Sequence, residues 1–280
     1  HRAIDQTGAV RTDPAGVKQA VEEHFRKVSA AVVPQDDRAV QDFPWRTEAD
    51  RVDIVTPPPD VDGLADRLTW ARYDEMLRRL GRGKAPGPDG VPNEVLRCMP
   101  PEFHRSLHRL MRLCWAEGHV PDRWKESHTV LLYKKGDPAA VGNYRPIGLL
   151  NTVYKLYTAV ITDVLAEYAE ARGMLSEGQE GFQQARTTAR QLQVLTGVVE
   201  DSRDRGTDLL VLYVDFVNAF GSVDHRRLLA TMRLLGVPED CLAVVRDLYR
   251  GASTAFSTPH GWTAQVPFVG RGTVQGDTLS

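Results

Sequence analysis

Asp215 stands at the end of six consecutive apolar residues, Leu209 to Val214. Such a run reads as a strand buried on both faces. A carboxylate at the exit of a buried strand can hold a metal ion against a phosphate. The alternative is an Asp that ends a strand and starts a turn. Phe216-Val217-Asn218-Ala219-Phe220 continues apolar beyond it, which places Asp215 in a pocket rather than on a rim. Asp224 is a weaker candidate, with charge compensation at a helix start as its ordinary explanation. A second string, RGTVQGDTLS at 271–280, combines Arg271, Gly272, Gln275 and Gly276. Its glycines let backbone approach a ligand, and Gln275 carries both a donor and an acceptor. A third group is cationic. Between Arg123 and Arg145 the chain carries a local excess of three positive charges, including Lys125, Lys134 and Lys135. Arg in particular neutralises a triphosphate through its forked donors, and Pro146 holds Arg145 in extended conformation. A solvated turn is the competing reading.

Carboxylate, cationic hairpin and glycine-bearing loop together are the parts of template-directed nucleotide addition. That chemistry needs two divalent ions clamped by carboxylates, and Mg²⁺ suits rigid oxygen ligands. Other chemistries lack their residues. GRGKAPG at 81–87 misses the spacing of a phosphate loop, and the eight histidines form no HExxH pair. Cys98, Cys114 and Cys241 lie far apart, as in a reduced intracellular protein without structural zinc. Trp115, Trp124 and Tyr133 could stack on bases, but their spacing fits a core better. No apolar run approaches the ~18–20 residues of a membrane span. A net charge of −2 does not advertise a nucleic-acid binder, although a basic channel can coexist with acidic outer faces.

The elements that must position these residues are helices and strands in irregular alternation, an α/β (α+β) pattern. Helical spacing covers 14–32, with Asp13 and Pro14 as the start. An irregular connector rich in Pro and Asp follows over 33–66. Helices are expected at 70–81, near 93–98 and over 102–117, the last with Phe103, Leu107, Leu110, Met111 and Cys114 on one face. KAPGPDGVP, between the first two, can only be a loop. Residues 127–134 read as a strand of a hairpin whose polar turn is KKGDPAAVGNYRP. A long helix is expected from Ile147 to about Tyr168, and another near 187–203. After the strand at 208–215, Ser222 would cap a helix over 223–235, closed by Gly236. Pro238 opens the next, through about Arg250. A β-hairpin is expected at 252–258 and 262–268.

Five ordered blocks resemble those of reverse transcriptases from non-LTR (LINE-type) retrotransposons. They are KAPGPDGVPNEVLR (84–97), LLYKKGDPAAVGNYRPIGLLNTVYKL (131–156), GQEGFQQARTT (178–188), YVDFVNAFGSVDH (213–225) and RGTVQGDTLS (271–280). The resemblance spans about 70–280 and implies a right-hand polymerase. Residues 1–66 would be an extension with one helix, 67–205 the fingers and 206–280 the first part of the palm. It also implies that Asp215 binds both Mg²⁺ ions, helped by the backbone carbonyl of Phe216. Phe220 matches the residue that excludes a ribose 2′-hydroxyl. Lys134, Lys135 and Arg145 match the residues that hold the incoming dNTP, and Gln275 and Gly276 line its pocket. Arg186 and Arg271 would have supporting roles near the template. Such enzymes copy an RNA template from a DNA primer, in the nucleus where chromosomal DNA is nicked.

Two departures qualify the resemblance. Gly221 stands where relatives carry an acid, and the chain reaches Ser280 before any Tyr/Phe-Ala-Asp-Asp turn or thumb. Starting at His1 and lacking that turn, the chain is expected to be a fragment without polymerase activity of its own. A non-catalytic nucleic-acid-binding remnant of a degraded element is the alternative.

Overall fold

The computed structural model describes residues 2–30, 63–176, 178–183, 185–216, 218–273 and 276–280. The connector expected over 33–66 lies outside the described residues except at 63–66, where Leu64 is buried. Two compact units are present: His1–Val164 with Asn218–Ser280, and Leu165–Val217.

In the first unit, short strands β1 (Ala3–Ile4) and β2 (Val10–Arg11) pair antiparallel before helix α1 (Pro14–Ser29). The Asp13 carboxylate caps α1 by accepting from the Gly16 amide, and Pro14 occupies a first-turn position where no N–H is needed. Helices α2 (Trp70–Arg79), α3 (Asn93–Arg97) and α4 (Pro101–Glu117) follow. The buried face of α4 differs from the expected one. Phe103 and Leu110 are exposed, while His104 and Trp115 are buried beside Leu107, Met111 and Cys114. Polar partners decide this rotation. His104 Nδ1 shares a hydrogen bond of 2.7 Å with Tyr73 Oη, and the Trp115 indole donates to Asp240 at 2.8 Å.

Strands β3 (Glu126–Tyr133) and β4 (Tyr144–Leu150) form the expected hairpin, in register from Ser127↔Leu150 to Tyr133↔Tyr144. The helix expected from Ile147 instead starts at Thr152, as α5 (Thr152–Ala171). The antiparallel ladder with β3 claims residues 144–150, outweighing an apolar periodicity that suits either structure. Within the second unit, α6 (Thr188–Arg205) matches the expected helix and closes on Gly206.

Residues 208–216 contain no strand, against the expectation of a strand buried on both faces. Leu210 is 97% exposed and Tyr213 79% exposed. An apolar run becomes a strand only when a neighbour supplies the ladder, and among the described residues none pairs with it.

Helix α7 (His225–Leu234) is capped by Asp224, whose carboxylate accepts from the Arg226 and Arg227 amides. The expected cap, Ser222, bonds the Ala219 carbonyl instead. Asp224 therefore has the structural role that was its alternative reading. Helix α8 (Glu239–Tyr249) leads into β5 (Ser253–Thr258), β6 (Gly261–Trp262) and β7 (Val266–Pro267). The sheet order is β4-β3-β5-β6, with β7 also on β5. Strands β3 and β5 run parallel, so a segment expected in the fingers and one expected in the palm share one sheet.

Candidate active site

The hairpin turn that carries Lys134 and Lys135 is built by its own side chains. Asp137 Oδ1 accepts from the Ala139 amide at 2.8 Å, and Asn143 Nδ2 donates to the Asp137 carbonyl at 3.0 Å. Tyr133 and Tyr144 donate to the Gly136 and Pro138 carbonyls. Lys134, Lys135 and Arg145 are exposed on this frame, and Arg145 lies opposite Leu132 on β4. Lys125 does not join them. Its side chain is 1% exposed, with its ammonium 2.9 Å from Asp247 and 3.1 Å from Asp122. Burial pushes the Asp247 carboxyl up, but the Val120 amide, Lys125 and His119 outweigh it and hold it below its ordinary value.

The 271–280 block meets this hairpin at Gly148. Gly276 has φ +115°, and a β-carbon there would lie 2.8 Å from the Gly148 carbonyl of β4. Only glycine permits that approach. Asp277 then docks on α5. Tyr154 Oη donates to its carboxylate at 3.3 Å, and the Thr278 and Thr158 hydroxyls are 3.0 Å apart. Burial pushes the Asp277 carboxyl up, and it pushes Tyr154 well above the ordinary phenol value. Gln275 lies outside the described residues.

The turn bearing Phe220 is tied to the same block. The Phe220 carbonyl accepts from the Thr273 amide at 3.0 Å, and the Val223 carbonyl from Gly272 at 2.9 Å. Asp224 and Arg271 form an antiparallel bridge. Asp224 Oδ2, Arg271 Nε and Thr273 Oγ1 are buried there without a hydrogen-bond partner among the described residues. His225 bonds the Gly270 and Gly272 carbonyls and stacks on Tyr249 at 4.4 Å. Asn218 has φ +53°, and its side-chain amide fills the space a β-carbon at Gly221 would take. An acid at 221 would therefore require Asn218 to move.

In the first unit the Phe220 turn is thus bonded to residues 272–273, and Gly276 abuts Gly148 of β4, the strand that also carries Arg145, while Lys134 and Lys135 lie at the turn end of that hairpin. Asp215, Phe216 and Arg186 belong to the second unit, Leu165–Val217. Asp215 is exposed and Phe216 is 76% exposed, contrary to the pocket expected around them. Arg186 is paired with Glu180 at 3.1 Å, and Arg190 shares that carboxylate at 3.3 Å. Among the described residues no group of three or more His, Cys, Asp or Glu gathers as a metal site.

Several positioning residues escaped the sequence reading. Asn151 Oδ1 accepts from the Asp89 amide, and its Nδ2 donates to the Arg123 carbonyl at 2.7 Å. It thereby pins the KAPGPDGVP loop to the start of β3. An Asn at a strand-to-helix junction was the available signal. Asp277 and Tyr154 lie 123 positions apart, and no local pattern announces their pairing.

Comparison with known proteins identifies the family. The family described as reverse transcriptase (RNA-dependent DNA polymerase) matches residues 132–280. A Xenopus laevis protein, the uncharacterized 149 kDa protein of transposon TX1, is 27% identical over 221 residues, covering 78% of this chain and 16% of its own length. The probable RNA-directed DNA polymerase from transposon BS of Drosophila melanogaster is 28% identical over 212 residues, covering 73% and 23%. The Pol polyprotein of the type-1 retrotransposable element R2 from Popillia japonica is 27% identical over 197 residues, covering 70% and 26%. The chain spans about a quarter or less of the length of these relatives. By these matches the chain belongs to the reverse transcriptase (RNA-dependent DNA polymerase) family, of the non-LTR retrotransposon kind.

Proposed function

We propose that the chain is the nucleotide-receiving part of an RNA-directed DNA polymerase, comprising fingers and the start of a palm. Lys134, Lys135 and Arg145 neutralise the triphosphate of an incoming dNTP. Phe220 excludes a ribose 2′-hydroxyl, Gln275 and Gly276 line the base side, and Arg271 and Arg186 support the template. The observation that carries this reading is the close approach of Gly276 to Gly148, which brings the 271–280 block against the strand bearing Arg145. The RNA template, the DNA primer and a nuclear site of action come with the polymerase reading.

Mg²⁺ would be held by Asp215, with the Phe216 carbonyl. One carboxylate does not clamp two ions, and the described residues gather no further ligands. Residues 1–280 alone are therefore expected to bind nucleotide without making cDNA. Isothermal titration of the chain with dTTP and UTP tests the pocket. Tighter binding of dTTP is expected, with a loss of about tenfold or more in Arg145→Ala, the scale of a lost charge-assisted contact. Phe220→Ala should narrow the gap between the two nucleotides. Equal affinity for dTTP and UTP in the unaltered chain would remove the gate assignment.

The exposure of 208–216 favours a second reading, a non-catalytic nucleic-acid-binding remnant. In that case RNA binds but neither nucleotide does.

A further inference from the structure

Residues 2–30 lie outside the family match, yet they are built into the nucleotide-receiving unit. One face of α1, with Val17, Ala20 and Val21, shares a buried cluster with Ala3, Val141 of the hairpin turn, Phe256 of β5 and Val266 of β7. Phe25 stacks on Phe256 at 4.1 Å and 11°. Two ends of this segment grip two different parts of the candidate site. At one end, the Ile4 amide donates to the Ala139 carbonyl at 2.9 Å, inside the turn that follows Lys134 and Lys135. At the other, Ser29 Oγ donates to the Pro267 carbonyl at 3.3 Å, and Ala30 forms an antiparallel bridge with Gly270. Gly270 in turn accepts from His225 and precedes Arg271. In between, Glu22 accepts from the Ala264 amide at 2.9 Å.

A helix of 16 residues is a rod about 24 Å long. Its C-terminal end holds the Pro267–Gly270 segment and its Val17–Val21 face packs with Val141 of the hairpin turn, so one stiff element bears on both. The cationic turn and the segment leading to Arg271 are remote in sequence, and residues 2–30 touch both. Around the α1–hairpin contact lies a cavity of about 460 Å³, lined by Val17, Val21, Leu131, Ala139, Val141 and Tyr144 among others. Trimming α1 there enlarges that space and loosens its hold on the turn.

We propose that residues 2–30 are a positioning brace. They set the Lys134–Lys135 turn and the Arg271 segment in one geometry, and so tune the affinity of the site for a polyphosphate. This rests on the assignment of Lys134, Lys135 and Arg145 to the triphosphate.

The test uses the full chain and inorganic tripolyphosphate, with amide hydrogen exchange as a second readout. Val21→Ala should raise exchange together at 136–143 and 266–272, leave α4 unchanged, and weaken tripolyphosphate binding about three- to tenfold. Val21→Ile, which keeps the apolar contact, should leave both as in the parent. If Val21→Ala unfolds the chain, seen as lost protection in α4, the milder Phe25→Leu is read in its place. The brace is overturned if exchange rises at only one of the two segments, or if binding is unchanged although Arg145→Ala weakens it. If the triple Lys134→Ala, Lys135→Ala, Arg145→Ala variant binds tripolyphosphate like the parent, the triphosphate assignment fails instead. Coupled exchange at the two segments then still supports the brace as a structural link, and uncoupled exchange overturns it.

Discussion

His225 shows how a residue outside the expected site can govern it. Its imidazole is wedged between the Gly272 carbonyl, 2.7 Å away, and the ring of Tyr249. Burial lowers its pKa from the ordinary value of 6.5, while the Gly272 carbonyl and Asp224 pull the other way without prevailing. The folded chain therefore binds this proton less tightly than the unfolded chain does. Stability from His225 is complete above the ordinary value and fades as pH falls through the window below it. Burial shifts His24, His104 and His128 in the same direction, so the losses accumulate. Melting temperature is expected to drop between about pH 7 and pH 5.5, a range set by the unperturbed imidazole. His225→Asn should lower stability at neutral pH yet give a shallower slope across that range. Thermal melts at several pH values measure it, and an unchanged slope in the variant would refute the assignment.

The elements that were legible in the sequence are those with local signals. Asp13-Pro14 opens α1 and Pro238 opens α8, and apolar spacing over 102–117 marks α4. The hairpin of β3 and β4 was legible from its polar turn. What failed depends on distant partners. Residues 144–150 carry apolar spacing that suits a helix, and only the ladder with β3 makes them a strand. Residues 208–216 have the composition of a central strand and, among the described residues, no ladder. The candidate site divides the same way. Residue types such as Arg145 and Phe220 were readable, whereas the docking of Asp277 on Tyr154 depends on tertiary burial. The unpaired run carries its own consequence. Leu210 and Leu212 are 97% and 83% exposed, and a β-prone, uncharged apolar segment without a ladder seeks one in another chain. The chain is expected to self-associate with rising concentration. Leu210→Lys with Leu212→Lys should at least halve the associated fraction in light scattering coupled to gel filtration, without shifting the melting temperature. A parent chain that stays monomeric at high concentration would contradict this.

For the whole molecule, charge placement matters more than charge sum. A net charge of −2 gives no long-range attraction for RNA, so binding must come from local patches. The apparent excess around the hairpin shrinks in the structure, because Lys125 is buried against Asp247 and Asp122. Arg186 is likewise occupied by Glu180. The positive charges that face solvent on the hairpin are Lys134, Lys135 and Arg145, beside the exposed Asp137. Three phosphate contacts on a single strand correspond to a slope of about −2 in log affinity against log salt. A short oligo(U) followed by fluorescence anisotropy between 50 and 200 mM salt, the range over which such binding is known to weaken, is expected to show that shallow slope. Replacing Lys134 and Lys135 by alanine should bring it to about −0.7, the value for one remaining contact. Lys125→Ala should leave the slope alone and instead destabilise the fold, since it strands Asp247 without its buried partner. A slope that survives loss of the two hairpin lysines would place the phosphate contacts on another surface. In that case the hairpin turn would be a solvated loop, the simpler of its two readings from sequence.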